Sequence, residues 1–210
     1  LGEVGGAKIA GALELAAEDN RQGVPTRAVI LFETGGVRLQ EANLGLAAIA
    51  EIHSAIVDLR QYQPVIGVIA GSVGCFGGMS IAAALCSYLV ATREARLGLN
   101  GPQVIEQEAG ITEYDSRDRP FIWSFTGGEQ RFHTGLVDAY VQDDTSDIRR
   151  TVVGLLHRGR PQVERSDQYA HYLERLSSYD ARVQATPDRV RQVYNVNPVD
   201  SVNSAGARHE

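Results

Sequence analysis

The chain has 210 residues, 43% of them hydrophobic, with 20 Lys and Arg against 26 Asp and Glu and a formal net charge of −6. That length suits one α/β domain with a helical extension, and an acidic balance without a basic run excludes a nucleic-acid or anionic-membrane surface as the main partner. Lys8 is the sole lysine and lies far from any glycine loop of the required spacing, which excludes P-loop and Schiff-base chemistry.

In chain order, 6–22 spaces Ile9, Leu13 and Ala16 or Ala17 along one helix face, and Gly23 with Pro25 ends it. The apolar run 26–33 predicts a buried strand, broken by Thr34, Gly35 and Gly36. Residues 39–62 carry Leu46, Ile49, Ile52 and Ile56 at helical spacing and close before Pro64. The cycle then repeats: a strand over 64–71, a glycine turn, and a helix from about Gly78 to Cys86. SYLVAT (87–92) and ARLGLNG (95–101) predict two more strands, and Gly101-Pro102 opens a helix over 101–110. A polar loop over 111–120, a last strand over 136–142 and amphipathic helices near 146–157, 160–178 and 187–194 follow, with a mobile tail from Asn195. The expected domains are 1–145 and a C-terminal helical extension over 146–210, packed on the first or on a partner.

Two strands that each feed a glycine-rich turn and a helix predict parallel βαβ geometry with the turns side by side. Ligands in such folds collect at the carboxyl ends of the strands, where helix N-termini offer unpaired N–H groups. GSVGCFGG (71–78) holds four glycines in eight positions, at ~0.5–1 kcal/mol lost per glycine in regular structure. One reading is an oxyanion hole, with one backbone donor from Gly35 or Gly36 and another from Phe76 or Gly77; the other is close packing of helix on sheet. Spacing leaves both open.

Competing motifs are weaker. The glycines at 71, 74, 77 and 78 do not form GxGxxG, and AGSVG has Ala70 where a nucleophile elbow has glycine. Ser72 with His157 and a late Asp would be a triad, and Cys75 a thiolate nucleophile, but no charged group lies close in sequence to Cys75 to activate it. The five histidines lack metal-ligand spacing, with His53 on a helix flank and His133 in a loop, so no metal is expected. Cys75 and Cys86 are too few for a disulfide scaffold or a four-cysteine zinc site, and they point to a reducing cytoplasm. No run of about 18 uncharged apolar residues predicts a membrane span. Arg38 and Glu41, three apart, pair near a helix start, in a capping or a site role.

ETGGVRLQEANLGL (33–46) resembles the first glycine turn of the carboxyltransferase family, whose members handle acyl-CoA and malonyl thioesters on a crotonase-type fold. GSVGCFGGMSIAAALCSYLVAT (71–92) is similar to that fold's second glycine turn and helix, and EARLGLNGPQVIEQ (94–107) to a further family segment. Within the family the likeness is greatest to the β subunits of biotin-independent malonate decarboxylases; the carboxyltransferase β subunits of biotin-dependent enzymes, and a non-catalytic scaffold subunit, are the alternatives. Thr34 and Val37 depart from the family's usual Ser and Ala, and Cys75-Phe76 precede the second glycine pair.

The resemblance implies an α/β crotonase-like ββα superhelix with C-terminal helices, and a decarboxylase acting on malonyl-S-acyl carrier protein without biotin or metal. It implies that the amides of Gly35, Gly36, Phe76 and Gly77 face the thioester carbonyl. Thr34, Arg38, Gln40, Glu41, Gly74, Cys75 and Gly78, with Gln103, Glu106 and Gln107, would line or brace the pocket. Family sites form between two crotonase-fold units, and this chain has length for one. The implied partners are therefore a γ subunit completing the site, an acyl carrier protein bearing a phosphopantetheine arm, and an α subunit acyl transferase.

Overall fold

In the computed structural model, whose described residues are 1–194, four strands form one parallel sheet in the order β1-β2-β3-β4. They are β1 Ala28–Phe32, β2 Val65–Ile69, β3 Tyr88–Thr92 and β4 Ala139–Val141. The register pairs Phe32 with Ile69 and Ile69 with Ala91, so the carboxyl ends of β1, β2 and β3 are level. The two glycine turns thereby leave the sheet at the same edge, as the βαβ pattern predicts.

A parallel sheet buries both faces, and alternation along the strands sorts the side chains between them. On one face Phe32, Val65, Ile69, Leu89 and Ala91 join a core with α1 Glu3–Arg21, α2 Asn43–Leu59 and α3 Gly78–Leu85. From α2, Ile52, Ile56 and Leu59 are fully buried, each contributing roughly 1.5–3 kcal/mol. On the other face Ile66, Val68, Tyr88, Val90 and Ala139 meet Leu155 of α7 Thr145–Arg158. The Asp144 carboxylate starts that helix by accepting from the N–H groups of Ser146 and Asp147 at 2.9 and 3.0 Å. α7 packs on β2, β3 and β4, and on the uncovered face of β1 Val29 and Leu31 stay 43% and 77% exposed.

Several boundaries differ from the sequence reading. The first helix begins at Glu3, and the run 39–62 divides into a 3-10 turn, Leu39–Glu41, and α2, with Ala42 at φ 44° between them. ARLGLNG is not a strand: Arg96 and Leu97 make only isolated bridges. The region after the polar loop is helical, with α4 Pro102–Ala109 before it and α5 Arg119–Thr126 and α6 Gly128–His133 after it. His133 therefore closes a helix instead of lying in a loop. The helix expected over 160–178 shortens to α8 Tyr169–Ser177, because the 3-10 turn Arg165–Gln168 precedes it, and α9 spans Pro187–Val193. The tail from Asn195 lies outside the described residues. No described helix is long and apolar enough to cross a membrane.

That 3-10 turn is stapled beneath the amino ends of β2 and β3. Arg165 donates to the carbonyls of Ala84 and Cys86 at 3.1 and 3.2 Å and pairs with Asp138, which accepts from the Leu89 N–H at 2.7 Å. Arg60 donates to Leu85 O and Ser166 Oγ, both at 2.8 Å. The Ser87 hydroxyl donates to Glu164 Oε1 at 3.2 Å, while Glu164 Oε2 is buried without a partner.

Burial pushes the Glu164 carboxyl above its ordinary range, against the opposing pull of Arg60 and the Ser87 hydrogen bond. The folded state thus binds its proton more tightly than the unfolded chain, so ionising Glu164 costs stability as pH rises from the ordinary carboxylate range through the raised value. Glu164→Gln keeps the Ser87 bond without the charge. We expect its Tm to match the parent near pH 4 and to exceed it progressively toward pH 8, as checked by thermal melts across that range.

Candidate active site

Beyond the level strand ends the chain does not turn straight into helices. Thr34 makes a parallel bridge to Cys75 and Cys75 another to Leu97, so a second, short ladder stands at the carboxyl edge of the sheet. The Thr34 N–H donates to Gly74 O at 2.8 Å, and Thr34 O accepts from the Phe76 N–H at 3.0 Å. On the far side the Cys75 N–H donates to Arg96 O and the Gly77 N–H to Leu99 O, both at 2.8 Å. The second turn is thus held between the first turn and the 96–99 segment.

Two glycines make this possible. Gly74 has φ 82°, and a Cβ there would stand 2.7 Å from Arg96 O. Gly77 has φ 67°, and its Cβ would stand 3.3 Å from Gly36 Cα. The two glycine turns therefore approach each other backbone to backbone at Gly36 and Gly77, in a conformation that an L side chain strains.

The amides assigned from the sequence need correction. Phe76 and Gly77 give their N–H groups to carbonyls of the ladder, and the Gly36 N–H donates to Thr34 Oγ1 at 3.2 Å. The physical reason is that the turn is bridged on both sides at Cys75, so its N–H groups from Cys75 to Gly77 are taken by neighbouring segments before the helix begins. In the two turns no described hydrogen bond takes the N–H groups of Gly35 and Val37, of Gly71, Ser72 and Val73 at the start of the second turn, or of Gly78 and Met79, the first turn of α3. A helix start leaves such donors free and carries partial positive charge.

The side chains divide in the same way. Cys75 is buried and desolvation pushes its thiol up to about 12, which removes it as a thiolate nucleophile at neutral pH. Ser72 and His157 are both exposed, His157 on α7, with no hydrogen bond between them among those described. Glu41 pairs with Arg38 at 3.0 Å and accepts the Glu3 N–H at the start of α1, so it caps a helix other than its own. Gln40 is exposed beside that pair. On α4, Gln103 and Gln107 are exposed, while Glu106 accepts the Ser116 N–H at 2.6 Å, which holds its carboxyl below the ordinary range. No described hydrogen bond brings these three to the glycine turns. No cluster of His, Cys, Asp or Glu suited to a metal ion occurs among the described residues.

One contributor escaped sequence reasoning. Arg96 donates from Nη2 to Ser72 O at 2.7 Å and to Val73 O at 3.3 Å, with its guanidinium 5.5 Å from the Phe76 ring centroid and 4.5 Å from that of Trp123. The available signal was its place in EARLGLNG, before Gly101-Pro102, but nothing local to that stretch marks contact with a turn over twenty residues earlier.

No protein-family model matches the chain. It is 38% identical over 174 residues to a malonyl-S-ACP:biotin-protein carboxyltransferase of Malonomonas rubra, covering 78% of this chain and 55% of that protein. It thus spans about half the length of that curated relative. Among solved structures it is 70% identical, at TM-score 0.89, to a chain of a Pseudomonas malonate decarboxylase hetero-tetramer in complex with malonate, over 92% of this chain and 70% of that one. A chain of a Pseudomonas malonate decarboxylase hetero-dimer is 67% identical at TM-score 0.77, over 85% of this chain and 74% of that one.

Gly74→Ala places a methyl against the Arg96 carbonyl in a positive-φ backbone. We expect a loss of about 1–3 kcal/mol, seen as a fall in Tm of roughly 2–4 °C per kcal/mol for a chain of this size, measured by circular dichroism.

Proposed function

This chain belongs to the carboxyltransferase family that includes malonate decarboxylase subunits, and on that footing we propose that it is the β-type subunit of a malonate decarboxylase, acting on a malonyl thioester. The solved relatives are malonate decarboxylase hetero-dimers and hetero-tetramers, and their α/β fold with a parallel sheet is of the crotonase type. We read the repeated strand, bridge residue and helix as the ββα superhelix, with residues 1–145 as its domain and 146–210 as the extension that begins with α7.

Breaking the bond between the carboxylate carbon and the α-carbon of a malonyl thioester releases carbon dioxide. The bonding pair stays on the α-carbon, and the resulting enolate carries its charge largely on the thioester oxygen; a proton delivered to the α-carbon then gives the acetyl thioester. The barrier falls where preorganised N–H donors meet that oxygen. In this reading the Gly35 amide and the first-turn amides of α3 at Gly78 and Met79 are the donors, with Phe76 and Gly77 holding the turn. The single observation that carries it is that these amides lack acceptors on two turns whose backbones touch at Gly36 and Gly77. No nucleophile or metal is required of the chain.

The substrate in this reading is malonyl-S-acyl carrier protein, its phosphopantetheine arm arriving with the carrier and not resident in this chain. A γ subunit of the same fold completes the pocket, an α subunit transfers the acyl group, and the complex is cytoplasmic. A second reading, biotin-dependent carboxyl transfer, draws on the Malonomonas relative, whose name specifies a biotin protein as acceptor. A third, a non-catalytic scaffold, draws on the engagement of the Phe76 and Gly77 amides within the chain.

Gly77→Ala separates these readings in the co-purified complex, by assay of carbon dioxide release from malonyl-acyl carrier protein. Displacing Gly36 and the α3 amides is expected to lower turnover by about 10²-fold, the effect of misplacing a site by about 1 Å, while the complex still elutes intact. Full turnover would favour the scaffold. Avidin is expected to leave the wild-type rate unchanged; inhibition would move the assignment to the biotin-dependent class.

A further inference from the structure

Arg96 is half-buried beside the second glycine turn. Among the described residues it has no carboxylate partner, its Nε is buried without an acceptor, and burial together with the nearby Arg119 lowers its pKa. A buried donor left unpaired costs about 1–3 kcal/mol. Its described hydrogen bonds all go to the second glycine turn. Nη2 donates to the carbonyls of Ser72 and Val73, its own carbonyl accepts the Cys75 N–H, and its guanidinium stands 5.5 Å from the Phe76 ring centroid. The opposing support is Trp123 of α5, with Arg119 4.8 Å from the same ring and paired with Glu94 at 3.9 Å. Next to Arg96 the Leu97 N–H donates to Thr126 O at 2.8 Å, so α5 anchors the segment on the side away from the turn.

We propose that Arg96 is a positioning residue: it clasps the 72–76 turn against α5 and so fixes where the first-turn amides of α3 stand. Lysine does not reproduce this, because a single ammonium offers no planar face for Phe76 and Trp123 and no fixed fork for two carbonyls. The contacts lie on the turn's rear carbonyls and not on its free amides, so Arg96 acts through the backbone and does not touch substrate. The proposal rests on the reading of this turn as the anion-holding site, but its structural half stands on the hydrogen bonds alone.

The test uses the co-purified complex with Arg96→Met and Arg96→Lys, and two readouts: steady-state kinetics of carbon dioxide release from a malonyl thioester, and hydrogen exchange of peptides over 71–79. Arg96→Met is expected to lower kcat by about 10- to 100-fold with KM within about threefold of wild type. Exchange over 71–79 is expected to quicken while that over α7 is unchanged, and Arg96→Lys is expected to recover part of kcat. Wild-type exchange over 71–79 in both variants, or a raised KM at unchanged kcat, would overturn the proposal. Should Arg96→Met fail to assemble, Arg96→Lys decides by the same two criteria. If the wild-type complex itself releases no carbon dioxide, the proposed function falls, and exchange alone then judges the clasp.

Discussion

The site depends on one exchange of backbone hydrogen bonds: Thr34 gives its N–H to Gly74 and takes that of Phe76. Each bond between neutral groups is worth only about 1 kcal/mol net, but together they fix the register of two loops that belong to different βαβ units. The same two segments are already paired in the sheet, where Phe32 faces Ile69, two residues before Thr34 and six before Cys75. A slip by one residue would reverse the side chains of β1 between its two faces, putting Phe32 on the uncovered face that Val29 and Leu31 now occupy. The hydrophobic core and the loop geometry are therefore a single constraint, and the sheet's stability is what keeps the loop amides aimed.

The two ends of the sheet are held differently. At the amino end, side chains do the fastening: Arg60, Arg165, Asp138, Ser87 and Glu164 tie the 3-10 turn to the strands. At the carboxyl end the fastening is main chain to main chain, with Arg96 as the principal side-chain contributor to the second turn. This division suits the proposed site, whose donors are amides. Side chains can be placed by packing alone, whereas an amide direction is set by φ and ψ of its own segment, and those are set by hydrogen bonds on either side.

Much of this was legible in the sequence for a physical reason. The strands β1, β2 and β3, the helix α2 and the side-by-side turns follow from apolar runs and 3.6-residue spacing interrupted by glycine, signals that burial on both faces of a parallel sheet makes strong. What periodicity does not carry is the partner of a given N–H. The Phe76 and Gly77 amides looked free because glycine-rich turns before helices usually leave them so; the 96–99 segment that takes Gly77 is a run too short to be a strand, contributing single bridges. The same blindness misread ARLGLNG as a strand and missed α5 and α6, which at eight and six residues, parted by Gly127, are too short to show helical periodicity. Glu41 was placed near a helix start, but that the helix is α1 and not α2 is a tertiary fact.

The departures from the family's motif acquire a meaning in this geometry. Thr34 keeps a hydroxyl where the family has Ser, and that hydroxyl accepts the Gly36 N–H, while no described bond takes the neighbouring N–H groups of Gly35 and Val37. Val37 packs against the α1–α2–α3 core, which fixes where that turn rejoins the chain. Cys75 and Phe76 are both buried, one in the same core and the other beneath Arg96. None of the four side chains needs to reach a substrate for the proposed chemistry to run. They select which amides are left over, and a site made of leftover amides can accept changes of side chain so long as the same N–H groups stay without partners.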